Sequence, residues 1–158
     1  MPIHGEQLKR IMSHWPSGIA VVTSTMHGAY HGFTANSFIS VSIHPPIVSI
    51  SIQNQSRSFQ MVNDAGIFGI TILSEKQSDI SERFAGRTHE IDRFSGLDLF
   101  TLVSGVPFIV GGVAFLDCRI IYMYGMPESA LFLGEVTAAQ ETESVKPLVY
   151  YHREYFSL

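Results

Sequence analysis

The segment Ile19-Ala20-Val21-Val22-Thr23-Ser24-Thr25, followed by His27-Gly28 and then by Tyr30-His31-Gly32-Phe33-Thr34-Ala35-Asn36-Ser37-Phe38, sets the fold class. Its first part is apolar and β-branched, as a buried strand is, and the glycine turn returns Tyr30 to Phe38 as a hairpin partner. These two strands are therefore expected to be antiparallel. Further on, Ile47 to Ile52 alternates Ile47, Ser49 and Ser51 against Val48, Ile50 and Ile52, the period of a strand with one wet or ligand-facing side. The serines are expected to face that side.

Ile67 to Leu73 reads as a buried strand, Val113 to Tyr124 and Ala130 to Ala139 as two long strands joined across 125–129, and Leu148 to Tyr151 as a closing one. Leu8, Ile11, Met12 and Trp15 fall at helical spacing before Pro16, which predicts a short amphipathic opening helix. Two more helices are expected: one from Arg57 to about Asn63, stopped before Gly66, and one from Glu75 to about Ala85. For the latter, Ser74 and Gln77 are spaced as a capping box and Gly86 ends it. Thr88 to Val106 has weak periodicity and reads as a surface excursion. Many strands with hairpin-sized connections predict a mainly β, antiparallel barrel. No Gly-x-Gly-x-x-Gly opens a helix, so a dinucleotide-binding α/β fold is not expected.

The 158 residues, 46% hydrophobic, fit a single domain over 1–158. A net charge of −4 without a run of Lys or Arg speaks against nucleic acid or an anionic membrane as partner. No apolar run approaches the roughly 20 residues of a membrane span, and His4, Glu6, Lys9 and Arg10 do not make a secretion signal, so a cytoplasmic location is expected. The single Cys118 shares a strand face with Ala114, Leu116 and Ile120 and reads as a buried, inert thiol. Seven histidines include no His-x-His pair and no His-Glu-x-x-His helix, so no metal site is expected. No nucleophile elbow or paired carboxylates point to hydrolysis.

The candidate site is the polar stretch from His31 to Ser42 with the serine-faced strand and Ser56-Arg57-Ser58 beyond it. Gly32 and small hydroxyl residues would let backbone N–H groups approach a planar ligand, and an arginine fork at a helix start suits a phosphate. Together they point to a mononucleotide such as FMN. The plainer readings are a polar hairpin edge at Thr34 to Ser37 and a helix cap at Ser56 with a solvated Arg57. The aromatic end Tyr150 to Phe156 reads as packing on its own barrel or as a dimer contact.

In this order and spacing, Pro16-Ser17-Gly18-Ile19-Ala20-Val21-Val22-Thr23, Gly32 to Ser42 with Pro45-Pro46, Asn54-Gln55-Ser56-Arg57-Ser58, Arg83-Phe84-Ala85-Gly86, Gly105-Val106-Pro107, Leu133-Gly134-Glu135-Val136 and Pro147-Leu148-Val149-Tyr150-Tyr151 resemble the short-chain flavin reductase family. These are the reductase components of two-component flavin monooxygenases. The resemblance implies a Greek-key, FMN-binding split β-barrel that acts as a homodimer. It implies FMN, or FAD, as cofactor, NADH or NADPH as co-substrate, and hydride transfer from nicotinamide C4 to flavin N5. Reduced flavin would pass to a partner monooxygenase. The roles it carries over are the ring edge at Phe33, Thr34, Ala35, Asn36 and Ser37, with Ser51 beside them, the phosphate at Ser56, Arg57 and Ser58, and a further approach by Arg83. No residue is assigned as catalytic. Where relatives often have a mid-strand asparagine this chain has Thr71. Where they often have Gly-Asp-His near the nicotinamide it has Gly125-Met126-Pro127-Glu128-Ser129-Ala130. An FMN-binding electron carrier that does not oxidise pyridine nucleotides is the alternative.

Overall fold

A β-branched run paired with a polar return strand forms the hairpin from which the sheet grows, and a computed structural model describes it within residues 1–89 and 91–158. In chain order the elements are α1 (Gly5–Met12), β1 (Ser17–Gly18), β2 (Ala20–Met26), β3 (Ala29–Ala35), β4 (Ile39–Ser42), β5 (Ile47–Gln53), α2 (Arg57–Ala65), β6 (Ile67–Ile72) and α3 (Ser78–Phe84). There follow β7 (Leu99–Phe100), β8 (Phe108–Ile109), β9 (Ala114–Gly125), β10 (Ser129–Glu141), β11 (Leu148–Tyr151) and β12 (Glu154–Ser157). The β2–β3 hairpin is antiparallel from Ala20↔Ala35 to Met26↔Ala29, as expected.

Seven strands make one sheet in the order β3-β2-β6-β9-β10-β5-β4, with every pairing antiparallel. β3 and β4 follow one another in the chain yet lie at opposite ends of this order. Ser37, between them, links the far sides: its hydroxyl accepts from the Ser51 N–H at 3.2 Å and donates to the Ser51 carbonyl at 3.3 Å. One side chain thus imitates a ladder pair where β4 no longer accompanies β5, and the barrel stays split along this seam.

Inside, Phe68, Ile70, Ile50, Phe132 and Val62 are fully buried in the main cluster, and Leu73, Ile80 and Phe84 anchor a second cluster beneath α3. Gly66, at φ 71°, ends α2 by a left-handed turn whose N–H returns to the Val62 carbonyl at 3.0 Å. Cys118 is buried in the main cluster, and burial first, then Asp117, pushes its thiol up to about 12.

Several expectations are corrected. α3 starts at Ser78 rather than Glu75, because Ser74 bridges Pro147 and the Glu75 N–H bonds the Lys146 carbonyl. Of the capping box the reciprocal half survives, the Ser74 N–H donating to Gln77 Oε1 at 3.0 Å. The surface excursion expected over 88–106 is anchored among its described residues: Phe94, Leu97 and Leu99 pack on the second cluster and β7 pairs with β8. Asp117 holds the Val103 and Ser104 N–H groups at 2.9 Å each. Ser49 is buried within the sheet between Ile39 and Leu133, so only Ser51 of the serine face reaches the seam. β1 and β12 are additional strands that join β11 in a small second sheet.

Candidate functional site

At the seam the end of β3, the unaccompanied end of β5 and the start of α2 enclose a cavity of about 370 Å³. Phe33, Thr34, Ala35, Asn36, Ser37, Ser51, Ser56 and Ser58 line it, with Ile52 and Gln53. Eight of the ten residues singled out from sequence are thereby brought together across 25 positions of chain. The size falls within the range of small-molecule sites, and the wall combines apolar surface with hydroxyls and strand-end backbone.

Ser56 has a double setting. As the N-cap of α2 it accepts from the Phe59 N–H at 3.0 Å while donating to the Gln53 carbonyl at 2.8 Å, so the plainer reading of this tripeptide holds. The cap also places the first-turn N–H groups of Arg57 and Ser58, which have no intrahelical acceptor, at the cavity's border. Arg57 is exposed at the first helical position. The helix dipole, these N–H groups and the guanidinium together make this end suited to an anion.

His31, which opens the candidate stretch but was given no role of its own, stands beside the same end. Its Nε2 lies 2.9 Å from Ser58 Oγ and its ring is tilted against Phe33. Burial, then the charges of Arg57 and Arg93, pushes the imidazole down to about 4. The sequence signal was the strand period, which puts His31 on the face of Phe33 and Ala35.

Two residues singled out do not line the cavity. Arg57 stands at its helical edge. Arg83 lies on α3, and its guanidinium donates to the Ser95 carbonyl at 2.9 Å and the Arg93 carbonyl at 3.4 Å. Gly32 also departs from expectation. A Cβ there would meet the Phe84 ring at 2.8 Å and Phe94 at 3.1 Å, so its missing side chain admits two aromatic rings rather than a ligand. Thr71 is buried, and its Oγ1 accepts from the Ile109 N–H at 3.2 Å, which fixes β8.

Thr34, Ala35 and Asn36 also border a second cavity of about 200 Å³ with Ser81, Arg87, Tyr150 and Tyr155. Here the Tyr155 hydroxyl donates to Glu82 and pairs with Ser81 Oγ at 2.9 Å, so the chain's end packs on its own barrel. The hairpin at 125–129 is tied down as well: Asn54 Nδ2 donates to the Met126 carbonyl at 2.7 Å and the Asn54 N–H to Glu128 at 3.0 Å.

A family model described as the flavin reductase like domain matches residues 12–158. The reductase subunit HsaB of a flavin-dependent monooxygenase from Mycobacterium tuberculosis is 32% identical over 149 residues, covering 93% of this chain and 79% of that one. An NADH-dependent flavin reductase of Rhodococcus is 32% identical over 160 residues, with coverage of 99% and 86%. Among solved structures, the NADH:FAD oxidoreductase of Streptomyces globisporus in complex with NAD and FAD fragments superposes with a TM-score of 0.90 at 30% identity, covering 100% of this chain and 96% of that one. With sequence, topology and seam in agreement, the chain belongs to the flavin reductase-like family.

Proposed function

We propose that this protein is an NAD(P)H:flavin oxidoreductase whose seam cavity holds FMN, with FAD as the other candidate, and which passes reduced flavin to a partner monooxygenase. One observation carries the reading: Phe33 to Ser37, Ser51, Ser56 and Ser58 meet around a single cavity with an anion-suited helix start at its border. When bound, flavin would supply the hydride acceptor and NADH or NADPH the donor, chemistry that belongs to the cofactors.

The chain's part is binding and orientation. Backbone along 33–37 borders the ring edge, with Ser51 opposite. Arg57 and Ser58 take the phosphate, and Ser56, whose hydroxyl is held between the Gln53 carbonyl and the Phe59 N–H, sets the helix start that presents them. Arg83 acts through the 93–95 loop that it holds. No acid–base pair is required of the protein.

The chain works as one flavin-binding unit over 1–158, and as a homodimer in the cytoplasm. Supporting the dimer, α1 has no buried residue and leaves Leu8, Ile11, Met12 and nearby Trp15 exposed, as β4 and its turn leave Ile39, Val41 and Ile43. Among the described residues no helix is long and apolar enough to cross a membrane.

Anaerobic absorbance spectra with added FMN, before and after NADH, followed by steady-state NADH oxidation, test the reading. Many turnovers per protein are expected. A single slow turnover would make the chain a flavin-binding electron carrier, and no spectral change with FMN would remove flavin altogether.

A further inference from the structure

His31 has no task in the function proposed above, yet it is built into the phosphate end of the cavity. The β3 period turns it toward α2, and its Nε2 sits 2.9 Å from Ser58 Oγ, a hydroxyl of the cavity wall. Two cations act on it from two elements. Arg57 does so from the first turn of α2, and Arg93 from the 88–106 segment, where one of its nitrogens donates to the carbonyls of Gly32 at 3.0 Å and Phe84 at 2.9 Å. Half-buried between these charges, the imidazole is pushed down to about 4 and is neutral near pH 7. A neutral base is thus held among positive groups beside a helix start, in a field that an incoming dianion reverses.

The hydrogen bond gives this field a structural consequence. In the neutral tautomer with its proton on Nδ1, Nε2 accepts from the Ser58 hydroxyl, which then has no hydrogen left for a ligand. Once Nε2 carries a proton it donates to Ser58 Oγ, and the serine hydrogen is released toward the cavity.

We propose that His31 is a positioning residue for the phosphoryl group of the flavin: when a phosphate dianion is seated at the start of α2, His31 takes a proton from solvent, and the charged ring directs the Ser58 hydroxyl at the phosphate. This rests on the flavin reading of the cavity. It makes FMN affinity at falling pH hold above what the ionisation of FMN's own phosphate alone would leave, because the seated dianion binds a proton through His31.

An NMR pH titration of the His31 ring in the wild-type protein is the direct test, run free and with saturating riboflavin, FMN or NADH. His31 is expected to titrate near 4 when free and with riboflavin, and to move up by about two pH units with FMN, toward the ordinary histidine value. An unchanged titration with FMN bound, or an equal movement with riboflavin, overturns the proposal. Movement with NADH alone assigns the phosphoryl site to the nicotinamide nucleotide and overturns it too. Failure of both flavins to bind at any pH removes the reading of the cavity itself, and is told apart from the other failures by the absence of flavin quenching. His31→Gln keeps a hydrogen-bonding group that does not titrate. Wild-type FMN affinity is expected to gain about fourfold over that of the variant between about pH 7.5 and 5.5, with FMN's own phosphate ionisation common to both proteins. Parallel pH profiles overturn the proposal.

Discussion

On the face of β3 turned toward α2, His31, Phe33 and Ala35 stand at an opening walled by serine hydroxyls. On the face turned toward α3, the rings of Phe84 and Phe94 roof Gly32, Thr34 donates to the Ser81 carbonyl, and Arg93 closes the Gly32 and Phe84 carbonyls. One seven-residue strand therefore has a face at the larger opening and a face filled, at Gly32, by the rings of Phe84 and Phe94. The filled face fixes the backbone, so the open one can present N–H groups and hydroxyls in a set geometry, as a site for a rigid planar ligand needs.

The largest effect is expected where the filled face loses its roof. Phe84, 1% exposed, packs edge-on against Phe94 at 5.0 Å. Phe84→Ala should cost about 3 to 5 kcal/mol of stability in a urea unfolding experiment. A loss below about 1 kcal/mol would mean that this face is not packed as described.

Next comes the open face. Arg57→Ala should weaken FMN by about 1.5 to 3 kcal/mol in a fluorescence titration, with riboflavin affinity and the unfolding midpoint nearly unchanged because Arg57 is exposed. Equal losses for the two flavins would detach Arg57 from the phosphate. Gly32→Ala sharpens the contrast: the new methyl must push on Phe84 and Phe94, at about 1 to 3 kcal/mol of stability, measurable as a fall in Tm.

The smallest effect is alkaline. Unfolded Cys118 ionises from about its ordinary value of 9.0, while the folded thiol keeps its proton to about 12. The unfolded state thus loses protons first, so stability falls as pH rises through that window. Cys118→Ala should flatten the alkaline limb of a pH–stability curve. An unaltered limb would place the titrating group elsewhere.

The contrast between the faces was half legible in the sequence. β-branched residues and His27-Gly28 announced the hairpin, and strand alternation with the Ser56 cap announced the seam, because each is a local signal. Gly32 was read as room for a ligand, since the rings that need the space come from residues 84 and 94, far along the chain. Arg93 was illegible for the same reason: one of its acceptors is 61 residues away. β12 was missed because its turn is made at positive φ by His152 and Arg153, 49° and 63°, and not by the Asn-Gly or Asp-Gly that mark such turns. The start of α3 was displaced because a strand bridge at Ser74 outcompeted a local cap.

The central claim is that the opening beside β3 receives an isoalloxazine nucleotide with its phosphate at the start of α2. A crystal structure of the protein soaked with FMN tests it most directly. The account predicts the phosphate within hydrogen-bonding distance of Ser58 and the Arg57 and Ser58 N–H groups, with the ring edge along residues 33–37. FMN bound elsewhere on the molecule, or an opening still empty at saturating FMN, would contradict it.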